Sequence, residues 1–161
     1  MHVRAAEYSD SIMLSDVLDE LFDAKKRTRR GDPHFVREHY IDHPHRVQCS
    51  VAVSEEGRIL GFQSLKRAHS GNPYDTPIGW GIIGTHVRPS AARQGVGSHL
   101  FRATLGAARR AALLQIEAFI GAQNLEAIAY YEAIGFRTYR YAEGVVCKKI
   151  ALGIGQGVVE L

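Results

Sequence analysis

The stretch from Gly79 to Ser98, Gly-Trp-Gly-Ile-Ile-Gly-Thr-His-Val-Arg-Pro-Ser-Ala-Ala-Arg-Gln-Gly-Val-Gly-Ser, leaves this chain few choices. Ile82 to Val87 reads as a strand, Pro89 opens a short loop, and Gly95 and Gly97 mark a junction between loop and helix. Beyond it, His99 to Ala112 places Leu100, Phe101, Leu105, Ala108 and Ala112 along one helical stripe. A glycine pair at such a junction is either a tight turn that needs positive φ or an anion cradle. In a cradle, consecutive backbone N–H groups converge on a negative ligand and the helix dipole adds partial positive charge. Arg88 and Arg93 flank the turn and would add charge-assisted donors to phosphate oxygens. Gly79, Gly81 and Gly84 in the strand predict a bulge, or a close approach by a ligand or another backbone.

Two nucleotide folds can be set aside on the letters. A P-loop needs G-x-x-x-x-G-K-[ST], and no Lys-Ser or Lys-Thr follows a glycine. A dinucleotide fold needs G-x-G-x-x-G after the first strand, whereas Leu100 stands at the third glycine position and the loop lies past mid-chain.

With 161 residues, 45% of them hydrophobic and 23% charged, the chain is long enough for one soluble domain with a real core. A net charge of +3 and a pI of about 9.0 suit an anionic ligand and fall short of what nucleic-acid binding demands. Cys49 and Cys147 form no C-x-x-C, so both are expected to be reduced and packed. The start, Met-His-Val-Arg-Ala-Ala-Glu, lacks an apolar leader and no stretch approaches membrane-spanning length. A cytoplasmic protein with no membrane partner is expected.

In chain order, His2 to Glu7 reads as a first strand and Asp10 as the cap of an amphipathic helix over Ile12 to Phe22. The dense run Lys25 to Arg30 is either a solvated loop at a helix C-terminus or a device for an acidic substrate or outlying phosphate. Asp32-Pro33 predicts a capped short helix to about Ile41. His34, His39, His43 and His45 match no metal-binding spacing, and no cysteine or placed carboxylate joins them. No metal is expected there; the histidines line a loop beside a substrate. Arg46–Val53 and Arg58–Lys66 form a hairpin, and Ala68 to Pro77 is loop by composition. Leu114 to Ile120 is a buried strand, and Asn124 to Ile134 a helix capped by Asn124 and stopped by Gly135. Phe136–Tyr141 and Val145–Ile150 make a last hairpin. The order β α α β β β α β α β β predicts a mixed α/β layer fold. Residues 1–152 form one domain and 153–161 a tail.

Two segments then speak together. Val87-x-Pro89-x-x-x-x-x-Gly95-x-Gly97, opening a helix, resembles the acyl-CoA loop of the GNAT superfamily of N-acetyltransferases. Asn124-x-x-Ala127-x-x-x-Tyr131-x-x-x-Gly135-Phe136 is similar to that family's second signature. The resemblance implies a mostly antiparallel central sheet of six to seven strands flanked by about four helices. It implies acetyl-CoA as cosubstrate, bound by Val87, Arg93, Gln94, Gly95, Val96, Gly97, Ser98 and Asn124. In one respect the chain departs from the family, which usually has Gln or Arg where this chain has Ala92; Arg93 and Gln94 are the nearest polar substitutes.

The seven residues from Asn124 to Tyr131 fall about 20° short of two helical turns, so both side chains share a face. Either tyrosine of Tyr130-Tyr131 can be a core residue with its hydroxyl at the rim; the resemblance makes Tyr131 the general acid. It implies direct attack of a primary amine on the thioester, with a backbone N–H near Ile83 to Thr85 on a bulged strand holding developing charge. The base is open between water, His86 and Glu117. The alternative to an enzyme is a non-catalytic acyl-CoA-binding or sensing module. A weaker one lets Lys25 to Arg30 hold RNA. Acceptors enter by the first two helices, the Ala68 to Pro77 loop and the last hairpin. Their acids (Asp23, Asp75), bases and histidines show no charge preference, so small-molecule and peptide amines both remain. A homodimer is expected from the resemblance and the apolar Val158, Val159 and Leu161.

Overall fold

A computed structural model describes residues 1–153. Seven strands form one sheet: β1 (His2–Ala5), β2 (Arg46–Val53), β3 (Ile59–Arg67), β4 (Gly81–Val87), β5 (Gln115–Gly121), β6 (Arg137–Ala142) and β7 (Val145–Ala151). Their spatial order is β1-β2-β3-β4-β5-β7-β6. All neighbours are antiparallel except β4 and β5. The four helices are α1 (Ser11–Asp23), α2 (Pro33–Val36, continued by a π-helical turn Arg37–Ile41), α3 (Val96–Arg110) and α4 (Leu125–Ala133). The architecture implied by the resemblance is the one observed. Val158, Val159 and Leu161, on which the homodimer expectation partly rests, lie outside the described residues.

Strand alternation distributes the core over both faces of the sheet. On one face Leu14, Val17 and Leu18 of α1 and Val36, Tyr40 and Ile41 of α2 cover Val51, Ile59 and Phe62. On the other, Phe101, Ala107 and Ala108 of α3 and Tyr131 of α4 pack on Leu65, Ile83, Ile116, Ala118 and Phe136. Such two-sided cover explains why β2 and β3 are buried along most of their length, polar residues such as Ser50, Gln63 and Ser64 included.

Several local expectations change. Asp10 does not cap α1 with its side chain. Its carboxylate takes both Arg4 guanidinium nitrogens, at 2.8 and 3.0 Å, and the Glu7 N–H at 2.7 Å, and a bidentate charged pair outweighs a single cap bond. Helix α3 starts at Val96, three residues before His99, because Gly95 turns the chain at φ 78°. Strand β4 carries no bulge: its register against β3 runs unbroken from Gly81↔Arg67 to Val87↔Gly61. The irregularity lies on its other edge. Pairing with β5 covers only Gly81↔Ile116, Ile82↔Glu117 and Ile83↔Ala118. From Gly84 onward the two strands splay apart.

Candidate active site

The splay puts an unpaired β4 edge, Gly84 to Val87, in the middle of the sheet. Buried backbone groups need partners, so this edge is a place for a ligand to complete. Side chains alternate about it. Thr85 and its partner Gln63 face α3 and α4, whereas Gly84 and His86, with Ser64 and Phe62, face α1 and α2.

On the α3/α4 face the junction at Gly95 is built from backbone. Among the described residues, no protein acceptor takes any of the six N–H groups from Arg93 to Ser98. Arg93 at φ 63° and Gly95 at φ 78° lie in the left-handed region, which turns these groups toward one side. Val96 buries its side chain beside Ala52, Ala91 and Leu100, so its part in the junction is its backbone. Gly97 allows a close approach: a Cβ there would stand 2.6 Å from the Tyr130 ring. Six N–H donors without a protein acceptor at a helix start are what an anion cradle needs. Arg88, by contrast, is not available to phosphate. It is buried, donates to the Ile59 carbonyl at 2.6 Å and pairs with Glu20 of α1 at 3.2 Å. Glu20 also accepts the Ser90 N–H, so this pair pins the loop to α1.

The second signature reaches the same face. The Asn124 side-chain oxygen Oδ1 caps α4 by accepting the Ala127 N–H at 3.2 Å. Tyr131 is buried between Tyr130 and Phe136, its hydroxyl 2.7 Å from Thr85 Oγ1. Burial pushes the Tyr131 phenol well above its ordinary pKa. The polarity of the surrounding bonds follows from one fixed acceptor. Tyr130 donates to the Gly97 carbonyl at 2.8 Å, so its oxygen can only accept from Gln63, whose Nε2 lies 3.1 Å away. The second Nε2 proton of Gln63 goes to Thr85 Oγ1 at 2.9 Å. Thr85 Oγ1 still has its own proton and a second lone pair, so in the 2.7 Å contact either hydroxyl can be the donor. Tyr130 is committed to the loop, whereas the Tyr131 hydroxyl meets only Thr85 among the described residues. Gln63 and Thr85 escaped the sequence reading because no local pattern marks them; only strand pairing brings them under α4.

On the α1/α2 face a cleft of about 220 Å³ opens at Gly84. Arg27, Arg29, His39, Tyr40, Lys66, Tyr74, His86 and Phe119 are among its lining residues. Burial and nearby cations press His86 down to about 3 and His39 to about 4, so both rings are neutral near pH 7. His86 Nε2 lies 3.3 Å from the Tyr40 hydroxyl. The histidine-rich segment does border a cavity: His39 and His43 line a smaller adjoining one with His69, which stacks on His45 at 4.0 Å. Glu117 is not in the cleft. Fully buried, it is held by Arg140 at 2.9 Å, by Thr76 at 2.7 Å and by Tyr139. Arg140 also donates to the Tyr74 carbonyl at 2.8 Å, which makes this group the support of the cleft wall. Of the acids the sequence offered, Asp75 is exposed outside the lining and Asp23 pairs with Arg30.

Comparison with known proteins bears on the family and the fold. The model of the Acetyltransferase (GNAT) family matches residues 14–136. A mycothiol acetyltransferase of Saccharomonospora viridis is 34% identical over 101 residues, covering 58% of this chain and 32% of that protein. The chain therefore spans about a third of that relative's length. Among solved structures, the GNAT domain of S. lividans PAT superposes with a TM-score of 0.77 at 20% identity, covering 93% of this chain and 89% of that one. A GCN5-related N-acetyltransferase from Kribbella flavida gives 0.72 at 19% identity, covering 94% and 97%. Salmonella typhimurium yncA, solved with its cofactor acetyl-CoA, gives 0.72 at 18% identity, covering 94% of each chain. Likeness at this identity speaks for the fold, and the family match covers more than half of the chain. The chain belongs to the GNAT family of acetyltransferases.

Proposed function

We propose that the protein transfers an acetyl group from acetyl-CoA to the primary amine of a small acceptor, with Tyr131 as general acid. The observation that carries this reading is the meeting of two faces at the splay, with six unpartnered N–H donors and the Tyr131 hydroxyl on one side and an open cleft on the other. When bound, acetyl-CoA supplies the acetyl group as a thioester; the amine nitrogen bonds to its carbonyl carbon, the C–S bond breaks and a thiol leaves. The Arg93 to Ser98 N–H groups, with Asn124 at the start of α4, would hold the pyrophosphate and pantetheine side. Outward N–H groups of the unpaired β4 edge would hold negative charge developing on the carbonyl oxygen. Tyr131 donates its proton toward the departing sulfur, and the proton shed by the amine restores the phenol through water. Its raised pKa keeps the donor protonated across the working pH range.

Among the described residues, no carboxylate lines the cleft. Arg27, Arg29 and Lys66 instead favour the neutral form of a bound amine, since like charges disfavour an ammonium. Replacing Tyr131 by Phe is expected to lower kcat by about a hundredfold or more while the acetyl-CoA Kd moves less than about twofold. An unchanged kcat removes Tyr131 from the mechanism. Binding of acetyl-CoA with no turnover of any amine favours the non-catalytic module instead.

A further inference from the structure

The cleft has a charge that the proposed reaction does not use. Lys66 is 8% exposed, lines both adjoining cavities, and among the described residues makes no hydrogen bond or ion pair. Its one charged-group contact is the Tyr40 ring, 5.4 Å from the ammonium nitrogen. A buried cation without a counter-ion is costly unless something else supplies the charge. Arg27 and Arg29 join it at the mouth, braced over the Phe35 ring at 5.9 and 5.3 Å, again with no carboxylate within ion-pair distance among the described residues. Acids on neighbouring elements are committed elsewhere: Glu20 to Arg88, Glu117 to Arg140, Glu38 to His34, Asp19 and Asp23 to Arg30. The two histidines of the cleft, His39 and His86, are neutral. Three cations therefore converge on one small cleft that contains no anion.

We infer that the acceptor is a small amine that also carries an acid group, as an amino acid or an aminoalkyl phosphate does, and that Lys66, with Arg27 and Arg29, holds that acid group. This acceptor class presupposes the transfer reaction proposed above. Geometry limits its size. Lys66 pairs with Ile82, two residues from Gly84, or roughly 7 Å along the strand. An amine at the splay and an acid at Lys66 are thus only a few bonds apart. The volume lies below the roughly 300–1,000 Å³ of sites for drug-sized ligands, which excludes a large acceptor lying wholly inside. One bound acid leaves a surplus of positive charge, so the neutral amine needed for attack stays favoured. Loss of a charged hydrogen bond to a buried partner is a tenfold to hundredfold effect, about the scale expected for Lys66.

The test compares matched acceptors in an acetyl-CoA turnover assay: α-amino acids against their amides, 2-aminoethyl phosphate against 2-aminoethanol, and 1,5-diaminopentane as a cationic control. The acids should exceed their neutral partners at least about tenfold in kcat/KM, and Lys66→Gln should erase most of that preference without moving the acetyl-CoA Kd. Arg27→Gln, a less buried position, should erase part of it and guards against a folding defect in the Lys66 variant. Preference for the amino acids identifies a carboxylate as the anion; preference for 2-aminoethyl phosphate identifies a phosphate. Diamine or neutral acceptors turned over best, or an acid preference untouched by both variants, would overturn the inference. Should no amine be acetylated while acetyl-CoA binds, the transfer reading fails. The charge reading is then decided by calorimetry of the same acids and neutral partners on CoA-loaded protein: acid binding weakened by Lys66→Gln sustains it, and equal binding of both overturns it.

Discussion

The two faces of the sheet meet at β4 and are built in opposite ways. On the α3/α4 face, the proposed cofactor site is mostly backbone: six consecutive N–H groups, one helix start, and a tyrosine bonded to Thr85. On the α1/α2 face it is all side chain, contributed by the Arg27–Arg29 loop, α2, β3, β4, the Tyr74 loop and β5. Backbone geometry tolerates changes of side chain, whereas a cleft assembled from six elements changes character with any of them. The division suits a protein that keeps one cosubstrate and fits its own acceptor.

The difference can be broken by substitutions that touch one face only. The largest effect is expected from Glu117→Gln, which leaves Arg140 unpaired beneath the acceptor wall. Breaking a buried pair in this way costs about 3–5 kcal/mol, so chemical denaturation should show a loss near that size. The acceptor KM should rise and the acetyl-CoA Kd should not; a selective fall in kcat would instead make Glu117 a base. Next comes Gly97→Val, whose side chain collides with Tyr130 and closes the N–H cradle. Losing two charge-assisted bonds weakens acetyl-CoA by about a hundredfold, measurable by calorimetry, while the variant's melting temperature distinguishes a closed cradle from an unfolded one.

How much of each face was legible follows from the same contrast. Gly95, Gly97, Asn124 and Tyr131 act through local backbone geometry, and local spacing shows it; the capped Asp32 and Asn124 helix starts were equally readable. Lys66, Gln63 and Thr85 owe their places to strand pairing, which no single stretch reveals, whereas Arg27 lies in the Lys25 to Arg30 run whose sequence left a solvated loop and an acid-binding device both open. The acceptor segments therefore looked neutral in sequence, although the fold sorts their acids away from the cleft. Arg88 and Asp10 misled for a related reason: each is drawn to a distant or bidentate partner stronger than its local one. Of the three glycines read in the strand, Gly79 lies before β4 with open space about it, Gly84 stands where pairing with β5 ends, and Gly81 meets the close approach, from the side chains of Leu65, Leu113 and Ile116.

Two smaller effects sharpen the contrast. The acceptor face buries His39 and His86 in neutral form, with pKa values of about 4 and 3. The unfolded chain protonates them near 6.5 and so binds more protons below that pH. Stability is accordingly full above about 6.5 and falls with acid, by on the order of 1–2 kcal/mol per histidine between pH 7 and 5. Denaturation curves across that range should show it, and His86→Phe should flatten it; a flat wild-type profile would contradict the burial of neutral rings. The smallest effect is expected from Ala92→Gln, which restores the family's usual residue type. Under the proposed cradle, in which the N–H groups do the binding, acetyl-CoA affinity should change less than about threefold.

Everything on the cofactor face depends on those six donors having a ligand. Calorimetric titration of acetyl-CoA into the purified protein tests this directly. One-to-one saturable binding in roughly the micromolar range, about −8 kcal/mol, and weakened by added CoA as competitor, is the predicted result. No heat and no shift in melting temperature up to about millimolar ligand, weaker than about −4 kcal/mol, would contradict it.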